Sequence, residues 1–170
     1  YFEASPRWAL DQPYQQSASK GYEADGLLYL KSGSKEQNIL AKQGDDLRID
    51  WGYFYMVAGK ENTAYSVGNS TELRKNFVNG TLNSASLEGE DSNGNMALVR
   101  SYGKVKNVTD KIMLGYDDIY SIQYFGTNLR PYWNSKGDRT IEAEMLAAYN
   151  EYDKLLARCY AFDKKLMEDA

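Results

Sequence analysis

Histidine is absent from this sequence, and cysteine occurs once, at Cys159. Those two absences remove Ser-His-Asp and Cys-His machinery, zinc sites of the His/Cys kinds and histidine general bases. A single cysteine also excludes an internal disulfide, a fact compatible with any compartment. Cys159 falls on an apolar helical stripe, so inert burial in a core is expected of it. No run approaches the ~20 consecutive apolar residues that a membrane span needs. The 20 basic residues are scattered through a chain of net charge -4, without the clustered footprint of phosphate binding. Neither a membrane span nor a nucleic-acid partner is therefore expected. The chain begins at Tyr1 without Met or a charged-then-apolar leader, from which a piece of a larger protein is expected. Three Asn-X-Thr/Ser triplets, at Asn69, Asn79 and Asn107, match the glycosylation pattern but carry little weight in an Asn-rich chain.

What remains is the composition of a globular domain, 42% hydrophobic and 26% charged over 170 residues. At this size folding buries roughly 70% of the surface exposed by the unfolded chain. Residues 1–25, with Pro6, Pro13 and the polar run QQSASKG, lack periodicity and read as an irregular arm. Residues 26–134 read as a β-sandwich of antiparallel strands. GLLYLKS is a short apolar strand; Leu47, Ile49, Trp51, Tyr53, Tyr55 and Val57 alternate with Asp46, Arg48, Asp50, Gly52, Phe54 and Met56. The second half of that alternation is apolar on both faces, so the Phe54 and Met56 side is expected to meet a second sheet or a neighbouring domain. TAYSV, MALVRSYGKV, KIMLGY and YSIQYF follow as further strands, with a connector helix capped by Ser70 and ending at Asn79-Gly80. Residues 135–170 change character: Ile141, Met145, Ala148, Tyr152, Leu155, Cys159, Phe162 and Leu166 recur at spacings of three and four. The spacing predicts one amphipathic helix of about 28 residues, on the order of 40 Å long. Thr140 is its N-cap, and Glu142 and Glu144 sit in the first turn where the helix dipole favours acids. A small sandwich cannot cover such a length, so part of the stripe is expected to meet a partner.

Chemistry-bearing residues gather in GYDDIYSIQYFGTNLRPYWN. Functionally, Asp117 and Asp118 can act as acid and base or bind a ligand's hydroxyl or amino groups, with Tyr120, Tyr132 and Trp133 as a wall and Arg130 as a carboxylate clamp. Structurally, Asp-Asp is an ordinary turn and alternate aromatics are what strands carry, and this reading is preferred. A second cluster, GDDLRIDWGYFY, places Asp46, Arg48 and Asp50 on one strand face, where salt bridging or solvation is the ordinary explanation. Amide hydrolysis needs a nucleophile, a proton shuttle and an oxyanion partner. No such motif stands out, so no catalytic residue, cofactor or metal ligand is assigned.

Two segments carry a resemblance. EQNILAKQGDDLRIDWGYFYMV resembles the β-rich domain near the front of glutaminase A-like proteins of bacteria and fungi. IMLGYDDIYSIQYFGTNLRPYWN, followed by YDKLLARCYAFDKKLMEDA, is similar to the junction between that domain and the helical, toroid-like region that follows it. The resemblance covers roughly half the chain in the right order. It implies a secreted or periplasmic parent that hydrolyses L-glutamine to L-glutamate and ammonia, in which this piece is an accessory, non-catalytic domain packed against the helical region. The family supplies no catalytic residues to carry over. A sandwich ahead of a helical toroid is also the layout of several glycoside hydrolases. The alternative expectation is therefore a carbohydrate-binding or structural sandwich domain, motivated by 15 Tyr and 3 Trp, with a small amino acid or a glycan as ligand.

Overall fold

The computed structural model describes residues 1–45, 48–82 and 91–169. Among them, antiparallel strands build two packed sheets and a separate hairpin, and one long helix closes the chain. Strands β1 (Phe2–Ala4), β2 (Ser17–Ala24), β3 (Leu27–Ser34), β4 (Tyr53–Gly59) and β5 (Thr63–Gly68) precede helix α1 (Ser70–Val78). Strands β6 (Asp91–Ser92), β7 (Asn95–Arg100), β8 (Met113–Asp117), β9 (Ile122–Tyr124) and β10 (Thr127–Leu129) follow, then helix α2 (Ile141–Asp169). The larger sheet has the order β6-β2-β3-β4-β8 and the smaller β1-β7-β5, while β9 and β10 pair only with each other.

The alternation of side chains across a strand decides which residues fill the sandwich. Leu28 and Leu30 of β3 and Phe54, Met56 and Ala58 of β4 point inward, meeting Tyr65, Met96, Leu98 and Ala4 of the smaller sheet. Full burial of each large side chain contributes about 1.5–3 kcal/mol. Close approach of the sheets depends on Gly21, where an added Cβ would lie 2.0 Å from the Tyr65 ring. The odd-numbered residues Leu27, Tyr29, Tyr55 and Val57 form a second cluster on the opposite face, and the first turns of α2 cover it with Met145, flanked by Ile141, Leu146 and Tyr149. The central strands are thus buried on both sides, as the apolar second half of the Tyr53–Val57 alternation anticipates.

Four expectations are corrected. Residues 1–25 are not an irregular arm: β2 is a full central strand of the larger sheet, paired with β3 through the two-residue turn Asp25-Gly26, both at positive φ. The second predicted strand begins only at Tyr53. Gly52 at φ +81° interrupts it, and the residues before it are irregular; Asp46 and Leu47 lie outside the described residues. Helix α1 takes its N-cap from Asn69, whose side-chain oxygen accepts the Thr71 and Glu72 N–H groups, rather than from Ser70. Cys159 is exposed, because α2 has already left the sheet where that residue occurs.

The cap expected for α2 is present: Thr140 Oγ1 accepts the Ala143 N–H at 3.2 Å, and Glu142 and Glu144 occupy the first turn. Tyr22 ties the helix start to the sheet by donating its hydroxyl to Glu142 at 2.6 Å. Burial, reinforced by that carboxylate, pushes the Tyr22 hydroxyl pKa up. Lys111 closes the packed region, bonding the Tyr149 carbonyl at 2.7 Å and lying over the Tyr149 and Tyr152 rings. From Glu151 to Asp169 every residue except Leu156 is exposed.

Candidate functional site

The six residues singled out in the sequence fall into two arrangements. Asp117 ends β8, and its Oδ1 accepts the N–H of Ile119, which sits at φ +61°. Asp118 Oδ2 accepts the Ser121 hydroxyl at 2.6 Å. The backbone of the same turn is latched to Trp51, whose indole N–H lies 2.7 Å from the Asp118 carbonyl and 3.0 Å from that of Tyr120. Tyr116 completes the latch by donating its hydroxyl to the Trp51 carbonyl. Gly52 lets the strands approach there; a Cβ would stand 2.3 Å from the Asp117 carbonyl oxygen. The two carboxylates therefore organise a turn over a tryptophan that is 6% exposed. Arg130 lies over the Tyr120 ring, 4.9 Å from its centroid, so the proposed clamp and one wall residue form a surface stack. Tyr132 and Trp133 line a different, shallow cleft of about 270 Å³ with Ser135, Lys136, Asp138 and Arg139.

The second sequence cluster is rebuilt by burial. Asp50 turns inward to 2% exposure and binds Lys42 at 2.6 Å, with Gln15 donating at 3.2 Å. Lys42 also reaches Asp11 at 3.1 Å, and Arg48 lies 3.9 Å from Asp11. The hydrogen bonds from Gln12 and Lys42 hold the Asp11 carboxyl below its ordinary range despite an opposing desolvation penalty. One oxygen on each carboxylate, Oδ1, has no hydrogen-bond partner among the described residues. Salt bridging is thus the role of Asp50, across a loop rather than along a strand face.

A site that sequence reasoning missed lies where α2 leaves the outer face of the larger sheet uncovered. Lys20 of β2 and Lys31 of β3 are direct cross-strand partners. The Lys31 ammonium sits 3.6 Å from the Tyr53 ring centroid and 5.5 Å from that of Tyr55, and Lys20 lies 5.8 Å from the Tyr22 ring. Gly33 provides the floor: a Cβ there would come within 2.5 Å of the Tyr53 ring. Lys20, Lys31, Gly33 and Tyr53, with Ala18, Ser34 and Lys35, line a groove of about 400 Å³. Burial, and then the charge of Lys20, push the Lys31 pKa down, while Glu142 and Asp117 partly restore it. Only the cross-strand register places the two lysines together.

Two apolar features stand clear of the sandwich. The β9–β10 hairpin exposes Ile122, Tyr124 and Leu129, and Phe125 at its tip is 91% exposed. Beyond Tyr149, α2 presents Tyr152, Leu155, Phe162 and Leu166 to solvent along one stripe, with Phe162 66% exposed. Among the described residues no group of three or more acidic, cysteine or histidine side chains is placed to hold a metal ion, and no helix is long and apolar enough to cross a membrane.

These features define an antiparallel β-sandwich domain with a helical extension. The chain belongs to the DUF5127 family, a domain of unknown function whose family model matches residues 1–169. No curated protein and no solved structure matches it.

Proposed function

We propose that this chain is an accessory, non-catalytic sandwich domain of an extracytoplasmic glutaminase A-like hydrolase, and that it packs against a following helical region which carries catalysis. The observation that supports this reading best is the uncovered apolar stripe of α2 from Tyr152 to Leu166. Contiguous apolar surface of this kind marks an interaction site, and a helix face is met most readily by another helix. The exposed hairpin tip at Tyr124 and Phe125 supports a second contact, in which the loop reaches towards the partner's substrate pocket. In this reading Asp117 and Asp118 act through the turn that aims the hairpin.

The test is ammonia release from L-glutamine by this chain and by the full-length parent under identical conditions. Activity in the parent and not in this chain is expected; any activity in this chain overturns the accessory role, and silence in both overturns the glutaminase assignment. Phe125→Ala in the parent is expected to weaken substrate affinity or turnover without loss of folding. A second reading, a glycan-binding module, is favoured by the exposed Trp8 and Tyr14 and opposed by the burial of Trp51. Calorimetric titration of the chain against a glycan panel separates the two, with flat traces counting against the glycan reading.

A further inference from the structure

The lysine groove on the open part of the larger sheet is unexplained by docking or by packing. Like charges placed directly opposite each other on antiparallel strands are destabilising, yet Lys20 and Lys31 occupy such a pair. Neither has an ion-pair partner among the described residues, and both lie against tyrosine rings. Lys31 is not a freely solvated surface cation: it is half-buried, held against Tyr53, whose ring in turn requires the glycine at position 33. The stack on Tyr53 fixes the Lys31 ammonium at the wall of a groove that Lys20 also lines. Two ammonium groups lining one groove beside an aromatic wall form a receptor for a negatively charged oxygen group, since charge-assisted hydrogen bonds to both cations relieve their repulsion.

The geometry points to a binding site for a small ligand bearing a carboxylate, sulfate or phosphate, held by Lys20 and Lys31 with its body against Tyr53. The groove volume, about 400 Å³, is that of a site for a single sugar or amino-acid-sized molecule. This assignment stands independently of the glutaminase reading, since it concerns only the open sheet face.

The experiment is a ¹H–¹⁵N NMR titration of the chain with glucuronate, glutamate, inorganic sulfate, inorganic phosphate and, as a neutral control, glucose, at constant ionic strength set with sodium chloride. Saturable shifts confined to residues 18–20, 31–35 and 53 are expected with at least one anionic probe and not with glucose. Which probe saturates at the lowest concentration distinguishes a carboxylate ligand from a sulfate or phosphate ligand. Lys31→Met and Lys20→Gln are each expected to weaken binding about tenfold, the loss of one charge-assisted hydrogen bond, while Lys164→Gln on the distal helix leaves it unchanged. Lys31→Arg keeps the charge and is expected to retain most of the binding if the fold is intact. Absence of saturation with every anion, or equal binding by wild type and both neutralised variants, overturns the proposal.

Discussion

Replacing Met145 by alanine removes the side chain through which α2 grips the sheet. Met145 is 8% exposed and packs with Leu27, Tyr29, Tyr55 and Val57; its sulfur lies 3.0 Å from where a Cβ on Gly115 would stand. A buried Met→Ala change costs about 2–5 kcal/mol. The site is at a helix–sheet boundary where the helix can settle inward, so the lower half of that range applies, about 2–3 kcal/mol. In a chain of this size each kcal/mol moves Tm by about 2–4 °C, giving a fall on the order of 4–12 °C. Phe162 is larger and lies on the same helix, but it is 66% exposed, and Phe162→Ala is expected to change stability by no more than about 0.5 kcal/mol. Scanning calorimetry and urea denaturation of the two variants make the comparison. Equal losses in both, or a silent Met145→Ala, would refute the division of α2 into a packed start and an unpacked remainder.

Gly21→Ala places a methyl group 2.0 Å from the Tyr65 ring and is expected to destabilise the sandwich by about 1–3 kcal/mol. The double variant Gly21→Ala/Tyr65→Leu should recover part of that loss in urea titrations, as two residues in contact couple. Lys42→Met strands the carboxylates of Asp11 and Asp50 without their shared cation. The native Asp11 pKa is lowered, so its stabilisation is present above the ordinary carboxylate range and lost as pH falls. The deficit of Lys42→Met in urea midpoint should accordingly be largest near neutrality and shrink in acid. At the other extreme, burial pushes Tyr29 and Tyr116 up to about 12 from an ordinary value of 10.0. Their neutral forms stabilise the fold below the ordinary value, and that contribution is lost as pH rises from about 10 towards 12. Tyrosinate absorbance should therefore rise in two stages, the second coinciding with loss of the circular dichroism of the fold.

Elements marked by periodicity alone were legible in the sequence: the α2 stripe with its Thr140 cap, the two-faced apolar run from Tyr53, and the strand at TAYSV. Others were hidden by local composition. Ser17–Ala24 reads as polar because its inward residues include Ser17 and Ser19, which are buried opposite Ser34 and Ser32. The decisive mark there was Asp25-Gly26, a dipeptide that adopts positive φ at both positions and closes a hairpin matching the twist of its strands. In the opposite sense, the Asp46, Arg48, Asp50 alternation imitates an exposed strand, yet Asp50 is drawn inward by Lys42, eight residues earlier along an irregular loop. The lysine groove was invisible for the same reason as β2: without that strand there is no register, and without a register Lys20 and Lys31 are two ordinary surface cations. Asp117 and Asp118 read as a turn from the sequence, but the indole of Trp51 that fastens the segment is 67 residues away from Asp118.

The distal half of α2 is where docking of this domain against a helical partner is read most simply. The residues from Glu151 to Asp169, exposed except for Leu156 and with Lys111 over the Tyr152 ring, form a marginal helix, since helices of this length draw most of their stability from packing of an apolar face. Amide hydrogen exchange across residues 151–169, followed in this chain alone and in the longer glutaminase A-like protein proposed to contain it, reads that cover directly. Rapid exchange is expected in the isolated chain, with slowing by about a hundredfold or more in that longer protein, centred on Leu155, Phe162 and Leu166. Equally rapid exchange in both would contradict docking of this helix against the rest of the protein.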